Sequence, residues 1–192
     1  MTHYLGLTGS IGMGKSTTAQ MFRDAGVPVW DADAVVHRLY AQGGAAVPAL
    51  RLVYPDAIVD GAVSRDKLKD IIAADPTALG KIEQIVHPLV AADRQAFIAD
   101  HLVPLLVFDI PLLFETGADD WLSSVLVVTA PADVQRNRVL ARPGMTSPHL
   151  DQILQRQIPD AEKRARADYL IETLTLDDTR AAVQELITKL TG

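Results

Sequence analysis

Residues 9–16 read GSIGMGKS, three glycines just ahead of a lysine and a hydroxyl. The stretch fits G-x-x-x-x-G-K-[ST] without mismatch. Gly9, Gly12 and Gly14 let the backbone turn so that successive N–H groups face inward, forming an anion nest at a helix N-terminus. Lys15 can then reach the β- and γ-phosphates of a nucleotide, and Ser16 can place its hydroxyl on Mg²⁺. A glycine-rich turn with a surface lysine shares the pattern but not the context. Here an apolar run (residues 4–7) precedes the loop and a helical pattern (residues 15–25) follows it, as a phosphate loop requires.

Carboxylates supply the next candidates. In VPVWDADAVVH (residues 27–37), Asp31 and Asp33 come directly after a second apolar run. In an open α/β sheet, ligands sit at the carboxyl ends of strands. A carboxylate there can take the proton of an attacking hydroxyl during phosphoryl transfer. Residues 34–40 are helical in pattern, so N-capping is the other role open to this pair. In LLVFDIPLLFE (residues 105–115), Asp109 closes a buried run. It can hold magnesium or its water, or cap the strand end, and both readings stand.

These groups need a frame. Five short apolar runs, at residues 4–7, 27–30, 105–108, 125–128 and 169–171, alternate with helical patterns. This argues for an α/β fold on a five-stranded parallel sheet, whose buried strands read as continuous apolar runs. Between residues 30 and 105 no strand is expected, only helices such as 64–74 and 75–86, far more chain than one crossover needs. A helical insertion between the second and third core strands follows. Ser147-Pro148 suggests an N-cap with proline at the first helical position. Val183, Leu186, Ile187 and Leu190 form one stripe of a C-terminal helix. Residues 136–166 are rich in arginine and lysine, including Arg136, Arg138, Arg142, Arg156, Lys163, Arg164 and Arg166, although the chain is acidic. Such a local reversal of charge suits a surface that meets an anion, with most of these cations on solvated helix faces.

Composition narrows the classes. The 192 residues suffice for one domain with an insertion, and 48% hydrophobic residues supply a core. A net charge of −6 leaves no global basic field for nucleic acid. With no cysteine, disulfides and thiolate metal sites are excluded, which fits a reducing compartment. The N-terminus MTHYLGLTGS lacks the pattern of a signal peptide, and no apolar run approaches a membrane span. The expectation is a cytoplasmic chain. A GTPase switch is disfavoured, because the only asparagine, Asn137, is not in N-K-x-D and no D-x-x-G occurs. A small-molecule kinase fits the size, the insertion and the basic segment.

The combination of GSIGMGKST, DAD before a helix bearing His37, VHPLV, DIPLLFE and the late ADYLI, in this order over nearly the whole chain, resembles the dephospho-coenzyme A kinases. The resemblance implies transfer of the ATP γ-phosphoryl group to the ribose 3′-hydroxyl of dephospho-CoA, giving CoA and ADP, the last step of CoA synthesis. It implies a three-layer α/β/α P-loop kinase core over residues 1–33 and 102–192, with a small lid at about 136–166, and a helical CoA- or acceptor-binding insertion over 34–101. Lys15, Asp33 and Arg142 are then the catalytic residues, with Asp33 as the base. ATP falls to Ile11, Gly12, Met13, Gly14, Lys15, Ser16, Thr17, Arg138 and Thr173. The acceptor falls to Asp33, His87 and Arg65, and Mg²⁺ to Ser16 and Asp109.

Without the resemblance, His87 reads as packing at a helix end with Pro88 opening the next helix, and Arg65 as a surface helix start. The chain departs from the family pattern twice. Ala91 stands where the family has arginine after HP, with Arg94 one turn further as a substitute, and Thr173 stands where the family has asparagine near the adenine. The expected partners are the small molecules ATP and dephospho-CoA, with neither nucleic acid nor membrane. Two other functions share the loop: a kinase of another small acceptor such as a nucleoside or nucleotide, and a nucleotide-dependent interaction module.

Overall fold

The computed structural model describes residues 1–192. The chain forms two compact units, one from Met1–Trp30 with His101–Gly192 and one from Asp31–Asp100. In chain order the elements are β1 (His3–Thr8), α1 (Lys15–Asp24), β2 (Val29–Asp31), α2 (Ala32–Tyr40), α3 (Ala46–Val53), β3 (Ile58–Val59), β4 (Ala62–Val63) and α4 (Arg65–Ala74). There follow α5 (Ala78–Asp100), β5 (Leu105–Asp109), β6 (Ser124–Thr129), α6 (Ala132–Leu140), α7 (Ser147–Arg156), α8 (Asp160–Arg166), β7 (Tyr169–Glu172) and α9 (Leu176–Thr191).

The first unit is built on a five-stranded parallel sheet of order β2-β5-β1-β6-β7. β1 lies at its centre, pairing in parallel with β5 on one side and β6 on the other. The expected apolar runs are these strands, and β5 and β6 are buried along their whole length. Alternation along β6 shows the layering, since successive side chains leave opposite faces of a strand. Leu126 and Val128 join a cluster with Phe22 of α1 and Val183 and Leu186 of α9. Val125 and Val127 join Leu113 and Phe114, with Ile158 and Ala167 packed alongside. The stripe expected on the last helix is this α9 face, with Ile187 and Leu190 partly buried against the same cluster. Each fully buried Leu or Val contributes about 1.5–3 kcal/mol.

The second unit packs α2 to α5 around Val47, Leu50, Leu68, Ile82 and Val86. Two details differ from the sequence reading. A short antiparallel hairpin, β3 with β4, lies where no strand is expected. Its turn is Asp60-Gly61, both with positive φ (50° and 79°), the Asp-Gly pair that two-residue hairpins favour. Two-residue strands are too short to show alternation, so only the turn announced them. Secondly, α5 runs 23 residues straight through Pro88 rather than ending before it. Proline removes one bond to the carbonyl four residues back. His87 and Pro88 are both exposed, so water can take that carbonyl. Further on, α7 is capped by Thr146, whose hydroxyl accepts from the His149 N–H, and Ser147 is already helical.

Candidate active site

The phosphate loop leaves the carboxyl end of β1, the strand at which the connections turn to either side of the sheet, where open α/β sheets bind ligands. Gly12 and Gly14 have φ of 77° and 87°, a region that side chains disfavour. Space forbids a side chain as well: a Cβ on Gly14 would lie 2.8 Å from Thr173 Oγ1, and one on Gly12 would lie 2.5 Å from Val139 Cγ2. Gly14 is the N-cap of α1, with no side-chain cap and no acid in the first turn. The first N–H groups of α1 and the positive end of its dipole are therefore left for an anion.

Lys15 Nζ lies 2.5 Å from Asp109 Oδ1 at the end of β5. The Asp109 side chain is 5% exposed and that of Lys15 17%, so this pair is shielded from water on most sides. Ser16 and Thr17 are exposed at the start of α1. Met13 is buried, and its sulfur accepts the Ala130 N–H at 3.0 Å, which fastens the loop to the end of β6.

A cleft of about 290 Å³ opens beside the loop, lined by Gly12, Gly14, Thr17, Arg138, Arg142 and Thr173 and closed by residues of the segment 174–179. Thr173 is a junction within it. Its hydroxyl donates to the Met13 carbonyl at 2.7 Å and accepts from Arg138 at 3.0 Å, while Arg138 also donates to the Thr173 carbonyl. Arg142 is exposed at the rim. The structure thus brings together Gly12, Gly14, Lys15, Thr17, Asp109, Arg138, Arg142 and Thr173 within the first unit.

Asp33, His87 and Arg65 belong to the second unit. Of the two roles open to the DAD pair, capping falls to Asp31. Asp31 caps α2, accepting the Ala34 N–H at 2.9 Å, and Asp33 stands exposed in the first turn. Arg65 opens α4 after the Ser64 cap, and its guanidinium lies 5.7 Å from the centre of the Tyr40 ring. Burial pushes the Tyr40 hydroxyl pKa up, and the charge of Arg65 partly offsets this. His87 and Arg94 are seven residues apart on α5, so they share one face. Burial lowers the Arg94 guanidinium from its ordinary value.

Several residues around the loop carried no readable signal. Gln135 Nε2 donates to the Ile11 carbonyl at 2.8 Å, and the Ile11 N–H donates to Gln157 Oε1 at 3.2 Å. Lys163, expected on a solvated helix face, is fully buried and lies 2.8 Å from Glu115 Oε1. One buried lysine or glutamine on a short polar helix has the same local sequence as an exposed one.

Residues 3–178 match the family model for dephospho-CoA kinase. A dephospho-CoA kinase of Ruegeria pomeroyi is 58% identical over 187 residues, covering 97% of this chain and 95% of its own length. One from Jannaschia sp. is 59% identical over 192 residues, covering 100% and 98%. A Thermus thermophilus protein of known crystal structure superposes with a TM-score of 0.87 at 35% identity, covering 100% of this chain and 99% of that one.

Proposed function

The chain belongs to the dephospho-CoA kinase family, and we propose that this site transfers the γ-phosphoryl group of ATP to the ribose 3′-hydroxyl of dephospho-CoA, the last step of CoA synthesis. The observation that carries the reading is the phosphate loop with Lys15 held over Asp109, next to a cleft flanked by Arg138 and Arg142.

ATP lies with its phosphates on residues 11–17 and its adenosine part in the cleft. The main-chain N–H groups of Gly12 and Gly14 and those opening α1 donate to phosphate oxygens. Lys15 turns from Asp109 toward the transferring group, and Arg142 closes from the rim, so both offset charge that grows in the transition state. Arg138 and Thr173 shape the base end of the cleft. Thr173 holds Arg138 and Met13 together where the family carries asparagine, so contact with the base there falls to Arg138 and the segment after Thr173.

Ser16 and Asp109 offer hydroxyl and carboxylate oxygens, the hard donors magnesium takes, and a cation that keeps water and phosphate ligands needs no more from the protein. When bound, it neutralises charge on the β- and γ-phosphates. Asp109 can then serve the cation as Lys15 moves away.

The acceptor belongs to the second unit. Asp33 is the base: capping falls to Asp31, so the Asp33 carboxylate is free of that duty and takes the proton of the 3′-hydroxyl. His87, Arg65 and Arg94 hold the anionic acceptor, Arg94 in place of the arginine that Ala91 replaces. Positioning and electrostatics carry most of the rate, since phosphoryl transfer asks little covalent help of the protein. The chain acts in the cytoplasm, and no helix is long and apolar enough to cross a membrane.

The test is a coupled assay of ADP release with purified protein, ATP and Mg²⁺, against dephospho-CoA, nucleosides and nucleotides. Turnover is expected with dephospho-CoA and not with the others. Turnover with another acceptor alone would replace the substrate, and ATP binding without any turnover would make the chain an interaction module.

A further inference from the structure

The peptide groups on both sides of Ile11 are held by glutamines from opposite ends of the basic segment. Gln135 belongs to α6, just before that segment, and is 7% exposed. Its Nε2 donates to the Ile11 carbonyl at 2.8 Å. Gln157 ends α7, and its Oε1 accepts the Ile11 N–H at 3.2 Å.

In a trans peptide the C=O and the following N–H point in opposite directions. Holding the Ile11 carbonyl toward Gln135 therefore turns the Gly12 N–H the other way, and Gly12 lines the cleft. Holding the Ile11 N–H toward Gln157 likewise turns the Ser10 carbonyl away from Gln157. That carbonyl accepts the Met13 N–H at 3.2 Å and so closes the turn of the loop. Without these bonds either peptide can flip and present a carbonyl oxygen to an anion, which repels it.

Gln157 is itself anchored. The next residue, Ile158, donates its N–H to Glu115 Oε1 at 3.0 Å. The same oxygen lies 2.8 Å from the Nζ of Lys163, whose side chain is fully buried. Three residues before Lys163, Asp160 accepts from the Thr129 hydroxyl at 2.8 Å, at the end of β6. The segment from Gln157 to Lys163 is thus tied near both ends to Glu115, in the turn after β5, and between them to the end of β6.

We propose that Gln135 and Gln157 are positioning residues that set the phosphate loop for the β- and γ-phosphates, with the buried Lys163–Glu115 pair fixing the Gln157 end. Arg138 and Arg142 lie between the two glutamines in sequence, so the lid and the loop share one set of supports. This rests on the reading of the loop as the ATP site.

Gln157→Leu and Gln135→Leu are each titrated with ADP by calorimetry and with adenosine by ligand-observed NMR, after their Tm is compared with wild type. Each folded variant is expected to bind ADP about fivefold more weakly, the worth of one hydrogen bond, with adenosine affinity unchanged. In turnover the KM for ATP rises and that for dephospho-CoA does not. Equal weakening for adenosine and ADP would overturn the proposal, since that is what general loosening of the cleft produces. ADP affinity equal to wild type in Gln157→Leu would overturn it as well, whether or not the more buried Gln135→Leu folds. Wild-type protein that failed to bind ADP would instead overturn the ATP-site reading and this proposal with it.

Discussion

Lys15 Nζ and Asp109 Oδ1 are 2.5 Å apart, which joins the phosphate loop to the carboxyl end of β5 by a shielded ion pair. On the proposed reading the pair holds the ammonium in place until a phosphate takes it over. Lys15→Met is expected to lower kcat by about 10²–10³, the usual loss when one stabilising donor is removed from a transition state. Asp109→Asn should lower kcat/KM for ATP as well. Because Asp109 both pairs with Lys15 and serves the cation, the double variant should be worse than Lys15→Met alone but by less than the product of the two single effects, and steady-state kinetics on all three proteins checks this.

Asp31 caps α2, and Asp33, two residues on, is exposed in its first turn. Asp33→Asn should reduce kcat by about 10²–10⁴ with both KM values little changed, as expected for loss of a general base. Asp31→Ala should instead lower stability by about 1 kcal/mol through loss of the α2 cap. If Asp33→Asn turned over within a few-fold of wild type, the base would have to be another group.

Arg138 and Arg142 differ in what they touch. Arg142 is exposed, and Arg142→Ala should leave Tm unchanged while kcat falls by about tenfold or more. Arg138→Ala removes donors from both the hydroxyl and the carbonyl of Thr173, so it should lower Tm and raise the KM for ATP. Thermal melts beside kinetics separate the two.

Glu115 predicts a pH dependence of stability. Its burial alone would raise its pKa, but the bonds from Lys163 and from the main chain at Glu115 and Ile158 outweigh burial and hold it below 4.5. The unfolded chain therefore binds this proton first as pH falls. The stability it contributes is complete well above pH 4.5 and is lost as pH drops through the depressed folded value. Glu115→Gln should flatten the acid limb of a plot of Tm against pH. Near neutrality it should cost about 3 kcal/mol, because the buried Lys163 charge is left unpaired.

Much of the fold could be read in advance because its signals are local. Buried parallel strands are apolar on both faces, so LLVFD and SVLVVT stand out in any window. A loop that must bend at Gly12 and Gly14 and then open a helix leaves its spacing in the chain for the same reason. The hairpin at Asp60-Gly61 was half legible: the turn pair is present, but two-residue strands carry no period. Pro88 misled, because a helix can run through proline where water reaches the freed carbonyl.

The sequence by itself determined the chemistry on offer: an anion nest, a lysine to follow it, carboxylates after two strands, and a basic segment. Tertiary structure alone decided how those groups are held. That Lys15 rests on Asp109, that Thr173 ties Arg138 to Met13, and that Gln135 and Gln157 grip one residue of the loop are contacts across 35 to 160 positions. Residue type and periodicity act within a turn or a strand and specify which face is apolar. They do not say which polar side chain meets which backbone group once the faces have packed, and it is that meeting which buries Lys163 and sets the loop.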